Sequence, residues 1–426
     1  MNKVVVIGGG AAGMMAAIAA GRSGAMVTLL EQNEKLGKKI YITGKGRCNV
    51  TNACDTEDFF GNVVRNPKFL FSAIYGFDHG ALMELISNAG CELKIERGNR
   101  VFPVSDRASD ITAALYGLLK ECGVTVFLQA QMKEIVVDGD RVTNVRYERQ
   151  GKMQSIDCDK VILATGGVSY ASTGSRGDGH AICKKLGMEE VELKPALVPL
   201  VSDDEVCKQL QGLSLKNVEA SLYCDGKCIY QEMGEMLFTH EGVSGPLILS
   251  ASSYYANYVR KKKKDEEKQA YEASLVLDLK PALTEDTLDK RVLREFEDNK
   301  NKQFKNAIDR LFPKKLVPIM VKQSGIDGDT PVYQITKEQR KQFVRRIKEF
   351  RIPITRSGGF HEAIITQGGI AVKEINPSTM ESKKVRGLYL AGELLDVDAL
   401  TGGFNLQIAF STGYLAGESA AKEEDI

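Results

Sequence analysis

The chain has 426 residues, too many for one compact core, so two or three domains are expected. Hydrophobic residues make up 43% and charged residues 27%, the balance of a soluble globular protein, and a net charge of +1 gives no reason to expect nucleic acid or an anionic membrane as a partner. The first predicted strand begins at residue 3, no apolar run approaches the ~20 residues that cross a bilayer, and nine cysteines lie scattered without a paired framework. The expectation is a cytoplasmic protein with reduced thiols and no signal peptide.

Lys3 to Ile7 reads as a short buried strand, and Gly8-x-Gly10-x-x-Gly13 follows at once. Met14 to Gly24 has helical periodicity, Met26 to Leu30 is a second apolar run, and Glu31 closes it. In this order the first glycine permits a tight turn, the second lets a pyrophosphate approach the backbone, and the third lets the helix pack on the strands. The helix N-terminus offers unpaired N–H groups to an anion, and Glu31 stands where a carboxylate accepts from ribose hydroxyls. Further along, Val124 to Leu128 and Lys133 to Val137 look like strands, Arg141 to Tyr147 and Gln154 to Cys158 a small meander, and Val161 to Ala164 a buried strand ending in Thr165-Gly166-Gly167. Residues 200–280 show short alternating runs, and 284–350 are mostly helical and charged. The Lys261–Lys264 run beside Asp265, Glu266 and Glu267 reads as a solvated loop. Residues 355–426 return to strand, glycine turn and helix, with Leu388 to Ala391 a second buried strand. The chain is thus an α/β unit, an insertion, and a return to that unit.

Three features favour FAD over a nicotinamide as the bound dinucleotide. Only one complete fingerprint is present; Gly174-x-x-Gly177-x-Gly179 has the wrong spacing and does not directly follow a strand. A glycine-rich, partly basic stretch, Gly37 to Asn49, can lay backbone N–H groups and cations along an extended cofactor. The C-terminal return carries Gly392-Glu393, Asp396 and then Thr401 to Gln407 opening a helix, which suits a ring that gathers negative charge on reduction.

Several of these segments are long and specific, and through them the chain resembles the BaiN-type flavoprotein family, which includes aminoacetone oxidase-like proteins and reductases of 3-dehydro bile acids. The segments are Gly8 to Gly13, Thr43 to Asn52, Leu163 to Gly167, Thr173 to Gly179, Leu237 to Pro246, Thr379 to Ser382, and Ala391 to Asp396 with Gly402 to Gln407. The resemblance covers nearly the whole chain. It implies an α/β fold with a Rossmann-like two-part FAD-binding domain, residues 1–195 and 351–426, and an inserted domain, 196–350, β-barrel-like over 196–283 and helical over 284–350. It implies that Gly8, Gly10 and Ala12, with Ala11 and Gly13, line the pyrophosphate. Glu31, with Gln32 beside it, would hold the adenosine ribose. Lys38, Lys39, Thr43, Gly46, Arg47, Cys48 and Asn49 would run along the cofactor, Met132 would bring its backbone near adenine, and Thr165 and Gly166 would sit at the adenosine end. Glu393 and Asp396, following Gly392, would approach the ribityl chain. Gly402, Gly403, Asn405, Leu406 and Gln407 would approach the isoalloxazine. The sequence departs from the family pattern at Ala171, Arg176 and His180, where proline, a small hydroxyl residue and an aromatic are usual, so a relative's substrate does not transfer directly.

FAD supplies redox chemistry by itself, so no catalytic triad is expected. Cys48 and Cys54 raise a rival, a disulfide oxidoreductase, but their C-x5-C spacing is wide for that chemistry. Cys224-x3-Cys228 lacks further ligands for a metal and reads as a hairpin with two buried thiols, so no metal is expected. Among four histidines, His79 and His361 read as structural, and His180 as a cap or pocket-lining residue. His240 lies beside Glu241 in a polar, glycine-flanked motif, and a pocket between insertion and flavin is the natural substrate site. His240 and Tyr170 are the candidate proton donors. The favoured function is an FAD-dependent oxidoreductase, with transiently bound NAD(P)H reducing an unsaturated ketone-like or other apolar small molecule. The alternatives are an oxidase using O2 with an amine or aminoketone, and a flavin-binding protein without turnover.

Overall fold

Four β-branched residues in succession, Val4 to Ile7, make Lys3–Ile7 the central strand of a five-stranded parallel sheet. Its neighbours are Lys160–Leu163 on one side and Met26–Leu30 on the other, with Leu388–Leu390 and Thr125–Phe127 at the edges. A strand covered on both faces carries no polar side, which is why Val4 to Ile7, Val161 to Leu163 and Leu388 to Leu390 are continuous buried apolar runs. The structure, a computed structural model, describes residues 1–265 and 272–423.

The helix after the first strand spans Ala11–Arg22, starting three residues earlier than its periodicity suggests, and ten of its residues are buried. It is built of alanine, glycine and methionine because the C-terminal helix Phe404–Ala421 crosses it with almost no clearance. A Cβ on Gly413 would stand 2.2 Å from the Ala12 carbonyl oxygen, and one on Gly417 2.3 Å from that of Ala16. The expected meander is present as Ala130–Asp138, Arg141–Arg149 and Lys152–Asp157, paired antiparallel. Glu190–Ala196 pairs antiparallel with Ile365–Ile370.

The chain divides into two compact units, Met1–Ala196 with Ala363–Ile426, and Leu197–Glu362. Each has its own hydrophobic core. The return to the first unit therefore falls at 363 rather than 351. The reason is strand pairing: Phe350–Ile354 pairs with Ala273–Asp278, and Arg356–Ser357 with Leu200–Val201, both inside the insertion.

That pairing also gives the insertion its shape. Its seven-stranded sheet runs Phe350–Ile354, Ala273–Asp278, Ser214–Cys224, Lys227–Thr239, Gly242–Ser244, Leu200–Val201, Arg356–Ser357. The two outermost strands are consecutive in sequence, separated only by Thr355, whose N–H donates to the Val201 carbonyl at 2.9 Å. One stretch thus closes the sheet on itself. A 20-residue helix, Pro246–Asp265, interrupts the region read as β-rich and carries the lysine run expected in a loop; Glu266 and Glu267 lie outside the described residues. The helical part contains Glu285–Asp298, Val317–Ser324 and Lys337–Lys348, the last opened by a reciprocal Thr336–Gln339 cap. Phe304 and Phe343 meet edge to face at 5.2 Å in its core.

Candidate functional site

The fingerprint folds into an anion cradle. Gly10 precedes the first helix with no side chain capping it, and a Cβ placed there would meet no atom within 4 Å. The space before the helix N-terminus is therefore open, where unpaired amides and the helix dipole favour a phosphate. Gly13 is required for another reason: a Cβ would lie 1.8 Å from the Gly8 carbonyl oxygen. Glu31 is buried, accepts from the Gly9 amide at 2.7 Å, and accepts from the Asn33 amide and side chain at 2.8 and 2.6 Å. Ala130 donates its N–H to the Glu31 carbonyl at 2.9 Å, bringing the Met132 strand beside that residue. Gln32 donates to the Gly174 carbonyl at 2.6 Å, and Asn33, which the sequence reading missed, to Thr173 at 2.9 Å.

The stretch after the cradle divides between site and scaffold. Lys38 pairs with Glu34 at 2.8 Å and donates to Asn33 at 3.2 Å. Thr43 caps its own turn, donating to the Ile40 carbonyl at 2.7 Å. Arg47 pairs with Glu96 and Asp106 and stacks over the Phe102 ring. Cys48 is fully buried, and burial pushes its thiol up to about 12, so it is no redox thiolate. Asn49 Oδ1 and Thr165 Oγ1 are buried polar atoms without a partner. Thr165 Oγ1 packs against Gly179, where a Cβ would stand 2.0 Å from it.

The C-terminal return is held just as closely. Gly403, at φ +101, enters the last helix where a Cβ would stand 2.3 Å from the Thr51 carbonyl oxygen, so only glycine fits. Asn405 and Gln407 spend their side chains on the protein rather than on a ring. Asn405 exchanges two hydrogen bonds with the Ala399 backbone, at 2.9 and 2.8 Å. Gln407, fully buried, accepts from Thr51 at 2.5 Å and donates to the Phe77 carbonyl at 3.1 Å. Asp396 is likewise committed, receiving Arg65 at 2.8 and 2.5 Å and Asn66 at 3.1 Å. What these residues leave for a ligand is backbone at Gly402–Leu406 and the first turn of the helix.

Glu393 is the hub of the site. Its Oε2 receives Lys39 Nζ at 2.6 Å, and its Oε1 receives the Thr366 amide at 2.6 Å and the Ser169 hydroxyl at 3.0 Å. Lys39 also donates to Ser169 Oγ at 2.7 Å and lies 5.9 Å from the centroid of the Tyr170 ring. Lys39, Tyr170 and Glu393 are thus brought together; Ser169 and Thr366, equally central, were missed. His180 is buried beside Glu190 at 3.2 Å, and burial holds its imidazole below the usual value against the pull of Glu190 and Glu393. His240, in the insertion, is largely exposed with Glu241 at 3.7 Å. His361, read as a structural residue, is exposed instead. Cys224 is buried in its hairpin as expected, but Cys228 is exposed. All nine cysteines are free, and no cluster of metal-ligating side chains occurs among the described residues.

A profile described as the HI0933-like protein Rossmann domain matches residues 2–419. The chain belongs to the HI0933-like family. Members of this BaiN-type family are FAD-dependent, and the open cradle at Gly10 and the glycine-entered C-terminal helix fit that cofactor. The family chain is 32% identical over 425 residues to a 3-dehydro-bile acid delta(4,6)-reductase of Clostridium scindens, covering 99% of this chain and 100% of that one. It is 30% identical over 427 residues to a ribosomal RNA dihydrouridine synthase of Haemophilus influenzae, covering 99% of each. Among solved structures it is similar to a 3-ketosteroid delta1-dehydrogenase of Sterolibacterium denitrificans, with TM-score 0.52 and 15% identity over 99% of this chain and 100% of that one, a likeness of fold. This HI0933-like protein is an FAD-dependent oxidoreductase with an α/β, Rossmann-type cofactor domain. No helix among its described residues is long and apolar enough to cross a membrane.

Proposed function

We propose that this protein reduces a carbon–carbon double bond conjugated to a carbonyl in an apolar small molecule, drawing electrons from NAD(P)H in the cytoplasm. The observation that carries the reading is Tyr170: a phenol left 36% exposed on a left-handed turn, beside the Lys39–Glu393 pair. The full-length likeness to a bile-acid reductase supports it. FAD, when bound, supplies the two-electron chemistry. The chain holds it through the open space at Gly10, the Glu31 carboxylate, Asn49, Thr165 and the first turn after Gly403. Tyr170 Oη donates the proton that the reduced carbon skeleton requires, and Lys39 and Glu393 hold the segment that carries it.

A second reading keeps the chemistry and changes the substrate. Two relatives of nearly full-length overlap, at 30% and 28% identity, are named ribosomal RNA dihydrouridine synthases. The uracil ring also holds a double bond conjugated to a carbonyl. Lys337, Lys341 and Arg345 are exposed at i, i+4 and i+8 of one helix, a row that suits phosphates. This reading reverses the expectation that no nucleic acid binds.

The test is anaerobic reduction of the yellow protein by NADH or NADPH, followed by oxidation with a 3-keto-Δ4 steroid, ribosomal RNA lacking dihydrouridine, O2, or an aminoketone. Reoxidation by the steroid supports the first reading, and by the RNA the second. Bleaching followed by fast reaction with O2 alone makes the protein an oxidase, and no bleaching by either nucleotide defeats the NAD(P)H assignment.

A further inference from the structure

Tyr170 occupies a backbone conformation that its side chain does not favour. Its φ and ψ are +54° and +55°, the left-handed region where a Cβ crowds the following carbonyl and where glycine or asparagine is the usual occupant. Burial does not repay this cost, because the ring remains substantially exposed. A strained residue persists only where its surroundings over-determine it.

The surroundings here do so from both sides. Before Tyr170, the Val168 and Ser169 amides both donate to Thr366 Oγ1, at 2.8 and 3.1 Å. After it, the Thr173 amide and hydroxyl both donate to the Tyr170 carbonyl, each at 2.8 Å. Ser169, immediately preceding, is fully buried and tied to Lys39 and Glu393, and the Thr366 amide donates to the same carboxylate. Segments distant in sequence, at Lys39, Thr366 and Glu393, therefore converge on one residue's backbone.

We infer that Lys39, Ser169, Thr366 and Glu393 are positioning residues that force Tyr170 into its left-handed conformation and so present its phenol outward instead of packing it. The inference rests on the reductase reading for the purpose of that presentation, but the forcing itself is measurable without any substrate. Thr366 is the discriminating member: its hydroxyl oxygen alone gathers two amides, and Thr366→Ser keeps that oxygen whereas Thr366→Val removes it.

The experiment compares thermal midpoints of the full chain carrying Tyr170→Ala, Tyr170→Gly, and each combined with Thr366→Val. Both single variants lack the ring, and only alanine retains a Cβ in the left-handed region. Tyr170→Gly is expected to melt about 2 °C or more above Tyr170→Ala. The loss caused by Thr366→Val is expected to be clearly larger with glycine at 170 than with alanine, since breaking the constraint lets a strained alanine relax and recover part of its cost, whereas glycine has no strain to release. Alanine melting at or above glycine overturns the strain, and equal losses in the two backgrounds overturn the role of Thr366. In the otherwise unaltered chain, Thr366→Val should lower kcat roughly tenfold with little change in KM, and Thr366→Ser should restore it. Should no enone or uridine be turned over by the unaltered chain, the reductase reading fails, and the melting comparison still decides the positioning inference.

Discussion

Single residues carry the site in two different ways. Gly8, Gly10, Gly13 and Glu31 were legible in the sequence because their meaning is local: a strand, a turn, a helix and a second strand within thirty positions. A Cβ at Gly10 meets no protein atom within 4 Å, so Gly10→Leu should place its side chain in the open space before the first helix, fold normally by circular dichroism, and purify without yellow colour. Arg65, Asn33, Ser169 and Thr366 were not legible, because each acts through a partner far along the chain. Arg65 and Asp396 are 331 residues apart, and no spacing rule connects them. Burial works against the Arg65 charge, and the Asp396 and Asp398 carboxylates together more than restore it. Arg65→Ala leaves that carboxylate buried and unpaired, and should cost about 3–5 kcal/mol of stability in urea unfolding. Arg47 and Gln407 show the same dependence on distant partners: the fold ties one to Glu96 and Asp106 and the other to Thr51 and the Phe77 carbonyl.

At the scale of elements, periodicity succeeded where one face was apolar and failed where function or packing changed the rule. The helix Pro246–Asp265 went unread because the short alternating runs on either side set the texture, although Leu247, Ile248, Ala251 and Tyr255 mark a buried face and Pro246 its first turn. The first and last helices illustrate a signal that single-helix reading overlooks. Their crossing is set by small residues spaced four apart on each partner, Ala12 and Ala16 against Gly413 and Gly417. Gly413→Val would drive a side chain into the Ala12 backbone. A loss of about 1–3 kcal/mol is expected from overpacking, with weakened flavin retention because the same helix begins at the ring-side glycines.

Across the whole molecule, two separate cores predict two unfolding events. Calorimetry should resolve two transitions, and added FAD should raise only the one belonging to the unit that contains Gly10 and Glu31. Buried thiols set the alkaline limit. Burial raises Cys48, Cys158, Cys183 and Cys224 from 9.0 to about 12, and Cys207 to about 11. A raised acid favours the folded state fully below its unfolded value and loses that contribution as pH climbs toward the folded one. The urea midpoint should therefore fall above about pH 9, and near neutral pH the exposed Cys228 should be alkylated long before the buried thiols.

The closure of the insertion at Thr355 has one more implication. A single residue separates two ladders whose alignments are fixed by different neighbours, Ala273–Asp278 on one side and Leu200–Val201 on the other. Deleting it cannot be absorbed by a loop. One ladder must slip by a residue, which turns inward-facing side chains to the outside along its length. Thr355 is thus a spacer whose presence matters more than its chemistry: exchange for serine or valine should pass unnoticed, whereas removal should leave the insertion unable to close.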